Sequence, residues 1–219
     1  MTCPDCGIKI ERLPCGRCKE KAAQQAIEFQ ILAKEFSLSR GEPRTEFERT
    51  SLDRALKALR ENLSQKSRRS FSFDARNLLR GRNWWYVPYT WIGCRGFIID
   101  SENGYVNSLG SALSLKDCFW GHEHGVFCDL VDFAFAPDTD TTLAAQLLGR
   151  FMHMHPNSRG LPPKTPVPYR DAEIPSALST QFPNFKRHFV WFAIPELFRA
   201  HEAGLRFTSS LTKTDNQFR

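Results

Sequence analysis

The 219-residue chain lacks the short motifs that mark the common enzyme classes. It has no Gly-rich phosphate-binding loop, no Gly-x-Ser-x-Gly nucleophile elbow, no dinucleotide-binding fingerprint and no His-Glu-x-x-His motif of zinc proteases. Leu13–Cys18 contains the Pro-Cys-x-x-Cys half of a zinc deaminase signature, but no histidine precedes it to supply the other half. These absences predict that the protein is not an enzyme.

Long hydrophobic runs are absent as well. No apolar stretch approaches the roughly 18 residues that a membrane-spanning helix needs. The first residues, Met1–Pro4, lack the basic and apolar regions of a secretory signal. We therefore expect no membrane partner and a location in a reducing cytoplasm, where disulfides are rare.

Cysteine is present, and four of the seven cysteines form two Cys-x-x-Cys pairs near the N-terminus. Cys3 and Cys6 make the first pair, and Cys15 and Cys18 make the second. Four thiolates can complete the tetrahedral coordination of one zinc ion, which predicts a structural Zn²⁺ in a zinc-ribbon or treble-clef-like module. Redox activity or disulfide bonding is the alternative. The helix-forming sequence that follows predicts that Cys18 lies in or near a first helical turn.

The remaining cysteines and the paired histidines are weaker candidates for chemistry. The cysteines lie among apolar residues and are too widely spaced for a second four-thiolate site, so buried free thiols are expected. Two His-x-His pairs could bind a second metal, and the sequence leaves this question open. The second pair is expected to contact helix-terminal carbonyls. These residues are Cys94, Cys118 and Cys128, with His122, His124, His153 and His155.

Acidic residues are concentrated in one segment. The net charge is +6, yet residues 97–148 hold eight carboxylates and a single basic residue, Lys116. Such a segment is a poor surface for phosphate. It suits a basic protein partner instead, because complementary charge speeds association. The candidate partner-binding residues are Glu123, Asp129, Asp132, Asp138 and Asp140.

Changes in hydrophobic pattern divide the chain into three parts. Residues 1–18 form the cysteine module, and residues 19–66 hold two amphipathic stretches that predict a helical hairpin. The polar, basic run at 64–70 predicts a boundary before an α+β main domain at 71–219. We expect a proline-rich loop at 156–183.

Within the main domain, aromatic and β-branched residues predict an antiparallel sheet. The run Trp84–Ile92 is strand-like, and Asn103-Gly104 is a strong hairpin signal between two further strands. A helix is predicted at about Thr141–His153 and a buried strand at Phe189–Ile194.

Four segments within residues 84–112 resemble the core of YrhB-like immunity proteins: Trp85–Pro88, Trp91–Asp100, Gly104–Val106 and Leu109–Ala112. In that family, a Trp-bearing strand and a hydrophobic hairpin ending in Asp-x-x-x-Gly-x-Val form a compact sheet. The resemblance implies a stoichiometric inhibitor that protects a bacterial cell against a toxin encoded beside it.

The sequence thus predicts an α+β fold, in which an aromatic-rich antiparallel sheet with helices on one face follows a four-cysteine zinc module and a helical hairpin. The leading hypothesis is a cytoplasmic, non-enzymatic immunity protein, or antitoxin, that binds and occludes a cognate toxin protein and takes no small-molecule substrate. The alternative is a zinc-ribbon nucleic-acid-binding or regulatory protein. Its basic contacts would come from Arg12, Arg17, Arg68, Arg69, Arg80 and Arg82.

Overall fold

The structure, a computed structural model, describes residues 16–63, 71, 73, 75–91, 94–154 and 166–212. Most of the predicted zinc module therefore lies outside the described residues. The chain divides into two compact units: residues 1–90 with 96–106, and residues 91–95 with 107–219. The α+β class is confirmed, with six α-helices and ten strands in the described part of the chain.

Two helices begin the first unit, and both were predicted. Helix α1 spans Gly16–Glu35, so Cys18 lies in its first turn as expected. Helix α2 spans Glu46–Asn62 and starts with a capping box, in which the Thr45 side chain accepts the backbone N–H of Glu48 and the Glu48 carboxylate accepts that of Thr45. Its buried side chains recur at helical spacing, as an amphipathic helix requires.

The first sheet contains five strands in sequence order, β1-β2-β3-β4-β5. Their bounds are Ser39–Arg40, Leu79–Arg80, Trp84–Trp91, Cys94–Asp100 and Val106–Gly110. The Asn103-Gly104 turn between β4 and β5 is confirmed. Gly104 has a φ of +73°, and its N–H donates to the carbonyl of Asp100 at 3.0 Å.

Helices contact both faces of this sheet, whereas the sequence predicted one face. Trp85 and Tyr86 are consecutive in β3, so their side chains point to opposite sides. The Trp85 indole N–H donates to the Ser51 hydroxyl of α2 at 3.0 Å. The Tyr86 ring packs edge-on against Phe29 of α1, with 5.8 Å between ring centres. The aromatic run Trp84–Val87 is buried throughout, so its composition alone could not show that two helices cover it.

The second unit contains four helices. Helix α3 spans Leu115–Glu123 and begins at the predicted cap, Ser114. Helices α4, α5 and α6 span Thr141–Leu148, Ile174–Gln181 and Ile194–Glu202. No helix in the described ranges is both long and apolar enough to cross a membrane.

The second sheet has the strand order β10-β6-β9-β7-β8, so its neighbours are distant in sequence. These strands are β6 at Val131–Phe135, β7 at Met152–Met154, β8 at Pro166–Pro168, β9 at Asn184–Phe189 and β10 at Phe207–Leu211. All of the described pairings in it are antiparallel. Aromatic rings fill its core, with Phe133 in contact with Phe135, Phe151 and Phe207.

Three predicted element bounds in this unit are wrong. Helix α4 ends at Leu148 rather than near 153, because the chain after it joins the sheet as β7. The strand expected at Phe189–Ile194 instead ends at Phe189, and a 3-10 turn at Trp191–Ala193 leads into α6. The proline-rich segment is more than a loop, since its described part includes β8 and α5.

The compact units do not separate at the boundary predicted for residues 64–70. The first unit continues through β2 and β3 to residue 90 and includes residues 96–106. The reason is that β1, which follows α1, pairs with β2, and β2 pairs with β3. This strand pairing ties the helical part to the aromatic strands, and a composition change along the chain does not reveal it.

Candidate functional site

The predicted partner-binding carboxylates have different roles in the structure. Asp132 lies in β6, where its Oδ1 accepts the backbone N–H of Arg187 at 2.9 Å and the hydroxyl of Thr212 at 2.8 Å. Asp140 caps α4 and accepts the backbone N–H groups of Thr142 and Leu143. Those two N–H groups lower the pKa of Asp140, so the side chain is ionised at neutral pH.

The other three predicted contact residues are exposed. Asp138 faces Arg206 at 3.1 Å, with both side chains more than two-thirds exposed. Glu123 and Asp129 form no ion pair with any described residue. Although Glu123 is largely exposed, partial burial raises the pKa of its carboxyl.

In the sequence, these acidic residues flank β6 on both sides. Glu123 and Asp129 precede the strand, and Asp138 and Asp140 follow it. A five-residue strand rises by about 3.3 Å per residue, so β6 separates the segment with Asp129 from the segment with Asp138 by roughly 15 Å. Glu123 is apart from Asp129, because the adjacent His124 ring lies 6.3 Å from that of Phe207, the register partner of Phe135 at the far end of β6. Sequence proximity suggested one acidic surface, whereas the extended strand divides it.

Two cysteines of the second unit, Cys118 and Cys128, are poor nucleophiles. Cys118 is fully buried, and burial raises the pKa of its thiol to about 12. Burial also raises the pKa of Cys128 to about 11. Both thiols are therefore protonated at neutral pH, where a nucleophilic cysteine must be a thiolate. The prediction of buried free thiols is confirmed for Cys118, while Cys94 and Cys128 are only half-buried and are in no disulfide with a described residue.

A buried polar network joins β7, β9 and the residue after β8. His188 Nδ1–H donates to the carbonyl of Lys186 at 2.9 Å, so its Nε2 accepts the Tyr169 hydroxyl at 2.6 Å. Tyr169 stacks on His153, which is the cross-strand neighbour of His188. Burial lowers the pKa of His188 to about 4, which keeps the imidazole neutral. His153 thus lies in a strand, and the expected helix-end contact is wrong.

The pairing of the other histidines also differs from the sequence pattern. His124 approaches His201 of α6, with 4.9 Å between ring centres, and it stacks on Trp120. Each of these two imidazoles donates its Nδ1–H to a backbone carbonyl. His122 instead contacts Phe127. No group of three potential metal ligands gathers among the described residues. His155 lies outside them.

The predicted zinc ligands Cys3, Cys6 and Cys15 are outside the described residues, as are Arg12, Arg68 and Arg69 of the alternative hypothesis. Of the arginines whose side chains are described, Arg82 is exposed and Arg80 forms a 2.8 Å ion pair with Glu48.

A pocket that the sequence did not predict lies in the first unit. Its volume is about 250 Å³, and its charged lining consists of Arg40, Glu42, Arg44, Glu48 and Arg80 beside the indole of Trp85. The lining comes from β1, from the turn into α2 and from strands some 40 residues later. No local motif could therefore have indicated it.

Comparison with known proteins adds no assignment: no protein-family model, curated protein or solved structure matches the chain.

Proposed function

We propose that this protein is a non-enzymatic immunity protein that acts in the cytoplasm by binding and occluding a cognate toxin. The observation that carries the proposal is that two exposed carboxylates, Glu123 and Asp129, have no cation partner among the described residues. Unpaired surface charges of one sign suit a partner with a basic cleft, because they steer association and exclude wrongly charged partners.

Glu123 and Asp129 are better candidates for toxin contact than the acidic residues that follow β6. There, Arg206 already accompanies Asp138, and the Asp140 carboxylate is engaged by its own helix. A toxin cation would have to displace these partners. At Glu123, an incoming cation would instead favour the ionised carboxylate and so offset the desolvation that raises its pKa.

The protonated thiols of the second unit agree with action by binding, since neither Cys118 nor Cys128 is activated for attack on a substrate. The nucleic-acid alternative depends partly on Arg80, whose guanidinium is held by Glu48. This ion pair makes Arg80 a poor phosphate-backbone contact and favours the toxin-binding proposal over the alternative.

The proposal also includes one zinc ion with a structural role. Cys3, Cys6, Cys15 and Cys18 would hold Zn²⁺ as thiolates. The start of α1 at Gly16 puts Cys18 in a first helical turn, the position in which a zinc knuckle commonly joins a helix.

The test is binding and protection by a charge-neutralised variant. The double variant Glu123→Gln with Asp129→Asn should weaken co-purification with the toxin encoded beside this gene and reduce survival of cells that express that toxin. If both charges face desolvated cations, the affinity should fall by about tenfold or more.

The matched control is Glu102→Gln with Asp138→Asn, which removes two exposed carboxylates elsewhere and should leave binding unchanged. Equal losses in both double variants would indicate a general charge effect and contradict the contact assignment. Failure of the unaltered protein to protect cells would contradict the immunity function itself.

A further inference from the structure

The pocket of the first unit is formed by local backbone structure and by one ion pair. Gly41, with a φ of +94°, turns the chain after β1, and its N–H donates to the carbonyl of Leu78 at 2.9 Å. Arg80, which also lines the pocket, is held by Glu48 at 2.8 Å and lies over the Trp85 ring at 5.9 Å from its centre. The pocket is therefore shaped by contacts that exist without a ligand.

Glu48 has little remaining capacity to accept hydrogen bonds. Its Oε2 accepts the backbone N–H groups of Arg44 and Thr45, and its Oε1 faces Arg80. The Arg44 N–H is the largest cause of the lowered pKa of the Glu48 carboxyl. This carboxylate is ionised and already satisfied, so it cannot serve a cationic ligand well.

The arginines, in contrast, retain unused donors. Each guanidinium carries five N–H groups. Arg44 makes no side-chain hydrogen bond to any described residue, and Arg40 makes one long contact of 3.5 Å, to Asn77. Three arginines face two glutamates in the lining, which leaves a positive balance. The hydrogen-bonding capacity that remains in the pocket is thus mainly that of cationic N–H donors. These donors favour an anionic ligand with several acceptor oxygens.

We propose that this pocket binds a small phosphate-bearing ligand, either inorganic phosphate or a phosphomonoester, through Arg40 and Arg44. Planar guanidinium groups match the oxygen geometry of phosphate. The volume of about 250 Å³ is just below the range of about 300–1,000 Å³ for drug-sized ligands, so a compact molecule fits. The proposal goes beyond toxin occlusion and does not depend on it.

Binding is tested on the full-length protein by calorimetric titration with inorganic phosphate and, separately, adenosine monophosphate, at constant ionic strength set with potassium chloride. Arg44→Gln should weaken binding by about tenfold, because one charge-assisted contact is lost. Glu42→Gln should strengthen it, because a like charge leaves the lining. Arg60→Gln, on the exposed side of α2, is the matched control and should bind as the unaltered protein does.

A second measurement locates the ligand without any substitution. In nitrogen-15 NMR spectra, the Trp85 indole N–H should shift during the titration, while that of Trp191 in the second unit should not. Saturation by phosphate alone or only by the monoester would each support the site and distinguish its ligand. No saturable binding, identical behaviour of Arg44→Gln and Arg60→Gln, or uniform shifts that follow ionic strength would overturn it.

Discussion

At the scale of single residues, burial decides which groups carry charge. His188 is 2% exposed, and burial keeps it neutral although the hydrogen bond to the Lys186 carbonyl favours its charged form. Desolvation is the main cause of its lowered pKa, His153 adds to the effect, and Asp132 opposes it. Burial raises the pKa of an acidic group instead, and at Cys118 it keeps the thiol protonated.

The neutral His188 predicts a loss of stability in acid. Its pKa is about 4 in the folded protein, against an ordinary value of about 6.5 in the unfolded chain. Below pH 6.5 the unfolded chain binds a proton that the folded protein does not. The free energy of unfolding should therefore fall as the pH drops from 6.5 through 4, by about 3 kcal/mol from this group.

Urea unfolding at pH 7 and pH 4.5 measures this loss. In His188→Gln the side chain can still accept the Tyr169 hydroxyl but does not titrate, so the fall in stability should be smaller than in the unaltered protein. The other titrating groups are the same in both proteins, so the difference between the two pH dependences reports the loss of His188. Identical pH dependence would show that His188 is not the responsible group.

At the scale of elements, close backbone approach fixes how helices join the second sheet. The chain leaves α3 through Gly125, which has a φ of +73° and whose carbonyl accepts the Ser209 hydroxyl of β10 at 2.8 Å. A side chain at this position would collide with the backbone carbonyl of Ser209. Glycine is thus required here by conformation and by space.

Gly125→Ala should be clearly more destabilising than Gly204→Ala. Both glycines have positive φ, so each substitution carries backbone strain of about 1–2 kcal/mol. Gly204 follows α6 and has open space where a Cβ would be, whereas Gly125 does not. We expect an additional cost of about 2 kcal/mol at Gly125, measured as the difference in free energy of unfolding. Equal costs would mean that the α3–β10 junction relaxes freely.

At the scale of the whole molecule, the two compact units allow a test of where zinc acts. Elemental analysis should give one zinc per chain, and Cys15→Ser with Cys18→Ser should abolish it, because two of the four thiolates are lost. We expect the proposed metal to stabilise only its own module, so the second unit should unfold at the same urea concentration in the variant. Retained zinc, or a second unit that fails to fold, would contradict this prediction.

The sequence by itself determined the α+β class and most of the elements. Helical periodicity located α1 and α2, and the Asn103-Gly104 signal located the hairpin turn. These features depend on neighbours within a few residues, which is the range over which helices and tight turns form their own hydrogen bonds. The ends of the elements were harder to predict from the sequence. No local feature of Met152–Met154 shows that this segment joins the sheet as β7 instead of extending α4.

Only the tertiary structure decided which distant residues meet. The order β10-β6-β9-β7-β8 brings His153 beside His188 and joins Tyr169 to both, although no motif links them. It also separates the acidic residues that are close in sequence, because β6 is extended between them. Likewise, Arg80 reaches Glu48 and Trp85 through strand pairing and helix packing. Charge composition identified the kinds of residues available for binding, but strand order and burial decided which of them remain exposed and unpaired.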